Sequence, residues 1–262
     1  MMTQYQEKAA VIRIERLSGD NVRLTFDCPD IAAAASPGQF VMIRVGTGND
    51  PLLRRPFSIH QTDEDGHLQV YFKVVGRGTG MLAAVREGAE VSILGPLGRG
   101  FQVADSPACL VGGGLGMAPL LFLARKLSQL KRDRSRDTII LGGRTSSEVE
   151  PLVKDFEEFG MTVVATTDDG SYGQRGFVTA AFSSLSLPSP CTVYCCGPEP
   201  MLAGMSVLCR TRGYSCQVSV ESVMACGMGA CLGCSKPNRD GGYVHVCVDG
   251  PVFDAEEMAW NI

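Results

Sequence analysis

The chain has 262 residues, 45% of them hydrophobic and 20% charged, and a formal net charge of −4. That length accommodates two domains, or two and a small appendage, and the mildly acidic balance offers no electrostatic footprint for nucleic acid or an anionic membrane. Eleven cysteines behind a polar start at residues 1–6, with no secretory signature, point to a reducing compartment, the cytoplasm by default.

Residues 1–100 read as an antiparallel β-barrel domain. Alternating apolar runs at 10–14, 22–26, 40–44 and 68–73 are separated by Gly, Pro and Asp clusters, and one helical segment is expected at 79–85. Inside this region the strand 54–59 carries Arg55, Pro56, Phe57 and Ser58 in succession. A guanidinium can fork onto a pyrophosphate, a phenyl ring can cover an aromatic ligand, and a hydroxyl can bond a ring nitrogen. The same hexapeptide also suits an edge strand with solvated arginines and a core phenylalanine. Residues 75–80, VGRGTG, are glycine-rich and precede the helix, which suits phosphate capture by backbone N–H groups. Two phosphate-suited elements in one barrel favour a dinucleotide.

From 101 to 216 the pattern changes to alternating units. Strands are expected at 108–111, 138–141, 161–165, 191–194 and 215–220, with helices at 118–130, 149–159, 177–185 and 199–211. Such a series predicts a doubly wound parallel sheet whose ligands sit at the carboxyl ends of the strands. Residues 107–124 are free of charge over a length that nominally reaches a membrane span, but GGGLGMAP breaks them into strand, turn and helix. Two strand ends are marked, by residues 112–119 and by Cys196, Gly197 and Pro198. The first does not follow G-x-G-x-x-G, a tight turn needs glycine in any case, and Cys196 also reads as a small buried hydrophobe.

Residues 217–262 form a cysteine module. Cys226, Cys231, Cys234 and Cys247 are spaced C-x4-C-x2-C-x12-C, and the first three reproduce the plant-type spacing for a [2Fe–2S] cluster. Gly227, Gly229 and Gly233 between them permit the positive-φ turns of a loop that aims N–H groups inward. A structural zinc is the alternative, although zinc modules pair their ligands at both ends. Disulfides do not suit a chain without a secretory signature. Of the remaining cysteines, Cys28, Cys109, Cys191, Cys195, Cys209 and Cys216 are expected to be packing residues. His60, His67 and His245 are expected to be packing or surface residues rather than catalysts.

Taken together and in order, RRPFS, GRGT, GGGLGMAP and CCGPEPM resemble the ferredoxin–NADP reductase superfamily over about residues 5–216. The cysteine module and CVDGPVF narrow the resemblance to electron-transfer subunits of class B, NAD-dependent dihydroorotate dehydrogenases. The resemblance implies a multidomain β plus α/β fold, with an FAD-binding barrel (1–100), an NAD-binding domain (101–216) and a [2Fe–2S] module (217–262). It implies that Arg55, Pro56, Phe57 and Ser58 line FAD, that Phe72, Lys73 and Val74 continue that site, and that Gly78 and Thr79 hold the pyrophosphate. Gly113, Gly114, Gly116, Cys196, Gly197 and Pro198 would shape the nicotinamide pocket, and Cys226, Cys231, Cys234 and Cys247 would ligate iron. The last cysteine stands closer than in plant-type ferredoxins, so the fold around the cluster need not be theirs.

Nicotinamide exchanges a hydride, an iron–sulfur centre passes single electrons, and a flavin does both. FAD is therefore expected between NAD and the cluster, with the cluster facing a separate FMN-containing catalytic subunit in a heterotetramer of two of each chain. Arg144 stands where relatives can hold a 2′-phosphate, so the residues leave NAD and NADP open, whereas the resemblance implies NAD. Two alternatives are a reductase subunit serving a ferredoxin, sulfide or hydrogenase partner, and a non-redox module with a structural zinc.

Overall fold

A computed structural model describes residues 3–46, 48 and 50–260; the expected domain limits at 1 and 262 and the start of the polar segment 1–6 lie outside them. In the N-terminal part, β1 (Tyr5–Ser18), β2 (Asn21–Asp27), α1 (Pro29–Ala34), β3 (Phe40–Arg44), β4 (Arg55–Thr62), β5 (His67–Lys73), α2 (Arg77–Ala83) and β6 (Glu90–Leu97) succeed one another. The strands close into a barrel in the order β1-β2-β5-β4-β3-β6. Successive strand residues face opposite sides, so Leu24, Phe26, Val41, Ile43, Phe57, Ile59, Val70 and Phe72 fill its interior. Strand β6 and helix α1 were not among the predicted segments. The predicted helix 79–85 lies two residues earlier, because Thr79 Oγ1 accepts the N–H groups of Val75 and Gly76 at 3.0 and 3.1 Å and starts the helix ahead of itself.

The second part runs β7 (Ala108–Gly113), α3 (Leu120–Ser128), β8 (Thr138–Gly143), α4 (Ser146–Glu157), β9 (Thr162–Thr167), β10 (Gln174–Arg175), α5 (Val178–Ser184), β11 (Thr192–Cys196), α6 (Glu199–Arg212) and β12 (Ser215–Ser219). These strands are parallel throughout. Helices α3 and α4 cover one face of the sheet, and α5 and α6 the other, as a doubly wound sheet requires. The charge-free run 107–124 is divided between β7, a 3-10 turn at Gly114–Met117 and α3. Among the described residues no helix is long and apolar enough to cross a membrane.

The cysteine module contributes a short hairpin, β13 (Ser235–Pro237) with β14 (Tyr243–His245), and then β15 (Val252–Asp254). Strand β15 pairs antiparallel with β12 and ends the seven-stranded sheet, whose order is β10-β9-β8-β7-β11-β12-β15. The parallel series is therefore extended by one antiparallel strand from the module, which covers an edge that would otherwise stay open. A bridge between Arg99 and Pro251, with the Arg99 N–H donating to the Gly250 carbonyl at 2.5 Å, ties the same segment to the barrel.

Barrel and sheet meet through polar contacts. Arg23 pairs with Asp155, Lys73 Nζ lies 3.1 Å from Glu148, and Arg125 donates to the Thr62 carbonyl. Fully buried His60 holds the Ala118 carbonyl through Nδ1 at 2.7 Å, while its Nε2 has no partner and Tyr71 lies beside the ring. Burial, reinforced by the Arg23 charge and opposed by the Ala118 bond, lowers the His60 pKa from 6.5 to about 3. As pH falls from 6.5 to about 3 the unfolded chain takes a proton that the folded ring refuses, so stability falls with it; above 6.5 the ring contributes no slope. His60→Asn keeps an N–H donor and removes this titration. Its urea midpoint is expected to fall less steeply than the parent's over that acid range, and parallel curves would refute the assignment.

Candidate functional site

On β4 the side chains alternate, and this divides the RRPFS segment. Phe57 points into the barrel, its ring centroid 5.2 Å from that of Phe72, and both are buried in the core. The two phenylalanines expected to line a ligand thus serve the barrel interior, because period-two alternation puts them opposite Pro56 and Ser58. Pro56 and Ser58 are half-buried on the outer face, cross-strand from Met42 and Phe40. Arg54 is structural, bonding the Met42 carbonyl and the Ser92 carbonyl and hydroxyl.

Arg55 lies over the glycine-rich turn: a Cβ on Gly78 would come within 2.7 Å of its Nε. RRPFS and GRGT, separate in sequence, therefore converge. Among the described residues no carboxylate pairs with the Arg55 guanidinium, which donates to the Leu53 carbonyl, so it fits an anionic pyrophosphate. The Thr79 hydroxyl is engaged within its own turn, also donating to the Gly76 carbonyl at 3.0 Å. Lys73 is held by Glu148, and the Val74 N–H donates to the Asp20 carbonyl.

Between barrel and sheet opens a cleft of about 1030 Å³. It stands at the carboxyl ends of β7, β8 and β9 and beside the end of β11, where a doubly wound sheet receives its ligand. Gly113, Gly114, Gly116, Gly197 and Pro198 line it, with Tyr71 and Lys73 on the barrel side. Cys196 lies beneath this surface, fully buried, its thiol pushed up to about 12 by burial and then by the Glu221 charge. Its carbonyl oxygen stands 2.1 Å from where a Cβ on Gly116 would be. The sequence reading missed Met201, whose thioether covers Gly113 and Gly197, and Glu221 and Asp168, which line the cleft. Burial raises the Glu221 pKa against the pull of Lys236. Asp168 directly follows β9 and Glu221 stands two residues past β12, a positional signal that could have found them.

The four cysteines of the module form two pairs. Cys226 stands beside Cys231, whose side chain helps to lower its pKa, and the Cys234 thiol donates to Cys247 Sγ at 3.2 Å. Backbone N–H groups of Met228, Gly229, Gly233 and Cys247 point at sulfurs at 3.5, 3.2, 3.5 and 3.5 Å. Desolvation opposes a thiolate at Cys226, yet the N–H groups of Met228, Cys231 and Ala230 and the Cys231 side chain outweigh it and bring the pKa to about 6. Cys247 is pushed up to about 12, by burial and then by its Cys234 partner.

One tetrahedral zinc would bring all four sulfurs to about 3.8 Å from one another. Among the described residues only Asp63, Asp65 and His67 place three such donor atoms within 4.8 Å, so no three of the sulfurs do. Two pairs with inward N–H donors fit a cluster of more than one metal atom rather than a single ion. The Asp63 group is a hairpin turn in which one carboxylate accepts the N–H groups of Asp65 and His67 at 3.0 Å. His245 pairs with Ser235 at 3.0 Å across the small hairpin.

Three family models match the chain in sequence order. They are the oxidoreductase FAD-binding domain at residues 8–101, the oxidoreductase NAD-binding domain at 110–206, and the iron–sulfur cluster binding domain of dihydroorotate dehydrogenase B at 221–259. A dihydroorotate dehydrogenase B (NAD(+)) electron transfer subunit from Desulforamulus reducens is 37% identical, covering 97% of this chain and 98% of its own. The corresponding subunit from Geobacillus thermodenitrificans is 38% identical over 97% and 98%. Among solved structures, a chain of an NADH-dependent reduced ferredoxin-NADP oxidoreductase aligns with a TM-score of 0.87 and 30% identity, covering 97% of this chain and 91% of that one. The ferredoxin reductase of carbazole 1,9a-dioxygenase shares the fold, with a TM-score of 0.66 at 24% identity over 80% of this chain and 67% of its own.

Proposed function

Because this chain belongs to the family of dihydroorotate dehydrogenase B electron-transfer subunits, we propose that it carries electrons between a partner's dihydroorotate-oxidising centre and NAD+ through a [2Fe–2S] cluster and FAD. The overall exchange balances as dihydroorotate and NAD+ going to orotate, NADH and one proton. The partner is an FMN-containing catalytic subunit, in an assembly of two of each chain in the cytoplasm.

The observation that carries the reading is the placement of the paired cysteines. On one side their loop packs against the barrel; on the other Cys231 is exposed, as are Met228, Leu232 (54%) and Tyr243 (71%). Leu232 is the one non-glycine residue with positive φ, 57°, among the described residues. A branched side chain in that conformation is strained, and its apolar end faces outward, as a contact with another protein would require.

When bound, the flavin supplies exchange between hydride and single electrons, and the cluster supplies single-electron passage. The chain's own residues bind and orient. Arg55 at the Gly78 turn takes the FAD pyrophosphate, with Thr79 holding that turn through its hydroxyl. Pro56 and Ser58 face the flavin ring, Phe57 and Phe72 stiffen the strands behind them, and Lys73 and Val74 extend the site. Gly113, Gly114, Gly116, Gly197 and Pro198 let nicotinamide approach the main chain, with Cys196 supporting them from below. Asp168, an acid at a strand's carboxyl end, suits a ribose 2′-hydroxyl and repels a 2′-phosphate, which favours NAD over NADP despite Arg144 in the same cleft. Cys226 with Cys231, and Cys234 with Cys247, would each hold one iron.

The purified chain is expected to oxidise NADH with artificial acceptors and to leave dihydroorotate untouched until an FMN-containing dihydroorotate dehydrogenase subunit is added. Leu232→Asp should weaken that reconstitution at least about tenfold, the cost of one charge placed in an apolar contact, with NADH oxidation unchanged. Dihydroorotate turnover by the chain alone would overturn the proposal. The likeness to the NADH-dependent reduced ferredoxin-NADP oxidoreductase chain favours a second reading, a ferredoxin-serving reductase subunit. Reduction of ferredoxin in place of dihydroorotate-dependent NAD+ reduction would establish it.

A further inference from the structure

The outer face of the barrel beside the flavin segment is covered by the cysteine loop. Strand β3 alternates: Val41 and Ile43 fill the barrel, whereas Phe40 and Met42 turn outward into a second core with Cys234, Val246 and Cys247. Residues directly opposite in an antiparallel pair share a face. Phe40 is paired with Ser58 and Met42 with Pro56. The two outward residues of the flavin strand therefore stand beside the two outward residues of β3, and the cysteine module rests on the latter.

One close point of this contact is Gly227, the residue after Cys226. A Cβ there would come within 2.7 Å of Met42 Cγ and 3.0 Å of its Sδ, and within 3.4 Å of Leu97 Cδ1. Gly227 also has φ of +74°, in the region where glycine alone is free of strain. Met42 is fully buried, and the contact involves the middle of its side chain rather than a free end, so it cannot swing aside. Elsewhere the module is anchored by β15 on β12, by the Arg99 bridge to Pro251 at the barrel, and by the Lys236 Nζ to Glu199 ion pair at 2.6 Å. None of those anchors involves residues 226–231, whose seating on the barrel is made by their own contacts.

We propose that Gly227 is a positioning residue that sets, through its contact with Met42, how closely the cysteine loop approaches the flavin strand. This inference rests on the proposed FAD and cluster relay. Its consequence is that bulk at residue 227 separates the two cofactors while leaving the ligands of each in place.

The test compares the parent holoprotein with Gly227→Ala, Met42→Ala and the double variant, mixed anaerobically with NADH. Flavin bleaching is expected at the parent rate in all of them. The cluster's EPR signal should appear severalfold more slowly in Gly227→Ala, because electron transfer slows as the distance between the two carriers grows. The double variant, with room made for the added methyl, should recover most of that rate. Hydrogen exchange at the amides of residues 226–230 supplies a readout independent of turnover, faster in Gly227→Ala and restored in the double variant. Parent-like EPR kinetics and exchange in Gly227→Ala would overturn the proposal, as would a double variant as slow as the single one, which would assign the effect to backbone strain. Should Gly227→Ala lose its iron, the double variant decides: iron content and EPR kinetics restored by the room made at Met42 support the proposal, and iron still absent refutes it by assigning the loss to backbone strain. A parent protein devoid of flavin and iron would overturn the relay itself along with this inference.

Discussion

Replacing Cys234 by alanine is expected to strip the iron from the protein while leaving FAD and NADH oxidation in place. The sulfur is buried, lies 3.2 Å from Cys247 Sγ and accepts the Cys247 N–H at 3.5 Å, so it belongs to the inner pair and no other thiol can move in to replace it. Altering mere supporting partners of a metal site costs about 10- to 100-fold in affinity, and removing a ligand costs at least the upper figure. Partner-dependent NAD+ reduction should fall by at least about a hundredfold for the same reason. The barrel and the cleft should survive, because β15 and the Arg99 bridge hold the module by contacts that do not involve the thiol. Iron per flavin and the visible spectrum check this. A variant that keeps its full iron content would remove Cys234 from the ligand set.

Gly116→Ala should have the second large effect, on the nucleotide rather than the cluster. The added Cβ would stand 2.1 Å from the Cys196 carbonyl oxygen and 2.3 Å from its carbon, both main-chain atoms. Cys196 cannot retreat, being paired with Gly112 on one side and Ser219 on the other. The 3-10 turn must therefore move, and it forms one wall of the cleft. A displacement near 1 Å there should lower kcat/KM for NADH by about a hundredfold, and overpacking against main chain should cost about 1–3 kcal/mol of stability. Gly19→Ala is the control: a Cβ there would meet nothing within 4 Å, the position is exposed and lies outside the cleft, so kcat/KM should not change. Steady-state kinetics with an artificial acceptor, together with flavin and iron content, separate loss of nucleotide binding from collapse of the fold. Unchanged kcat/KM in Gly116→Ala would show that the turn does not bound the nucleotide site.

The order of a strand-rich region, a strand-and-helix series and a cysteine module was readable from the chain, because each rests on neighbours in sequence. Period-two runs at 22–26 and 40–44 became β2 and β3, and the apolar spacing at 199–211 became α6. The fourfold cysteine spacing was readable for the same local reason. Helix α1 escaped because six residues beginning with a proline and ending in alanines carry too little periodicity. Strand β6 escaped notice because Gly95 and Pro96 interrupt its alternation.

What packing alone decided concerns which side each residue faces and what lies across from it. Phe57 looks like a ligand-facing ring in its motif, yet the phase of β4 sends it into the barrel, and a phase is fixed only once the strand has partners. Arg55 over Gly78, Glu221 in the cleft, β15 on the edge of the sheet and Gly227 against Met42 all join segments far apart in sequence. No local pattern encodes such a meeting, because its energy comes from apolar area and main-chain bonds completed only when the elements close on each other. The sequence by itself therefore determined which chemistry is available to this protein, arginine and glycine segments suited to nucleotides and thiols suited to a metal cluster. Only the tertiary structure decided how near those chemistries stand to one another, since distance between remote segments is a property of the packed core.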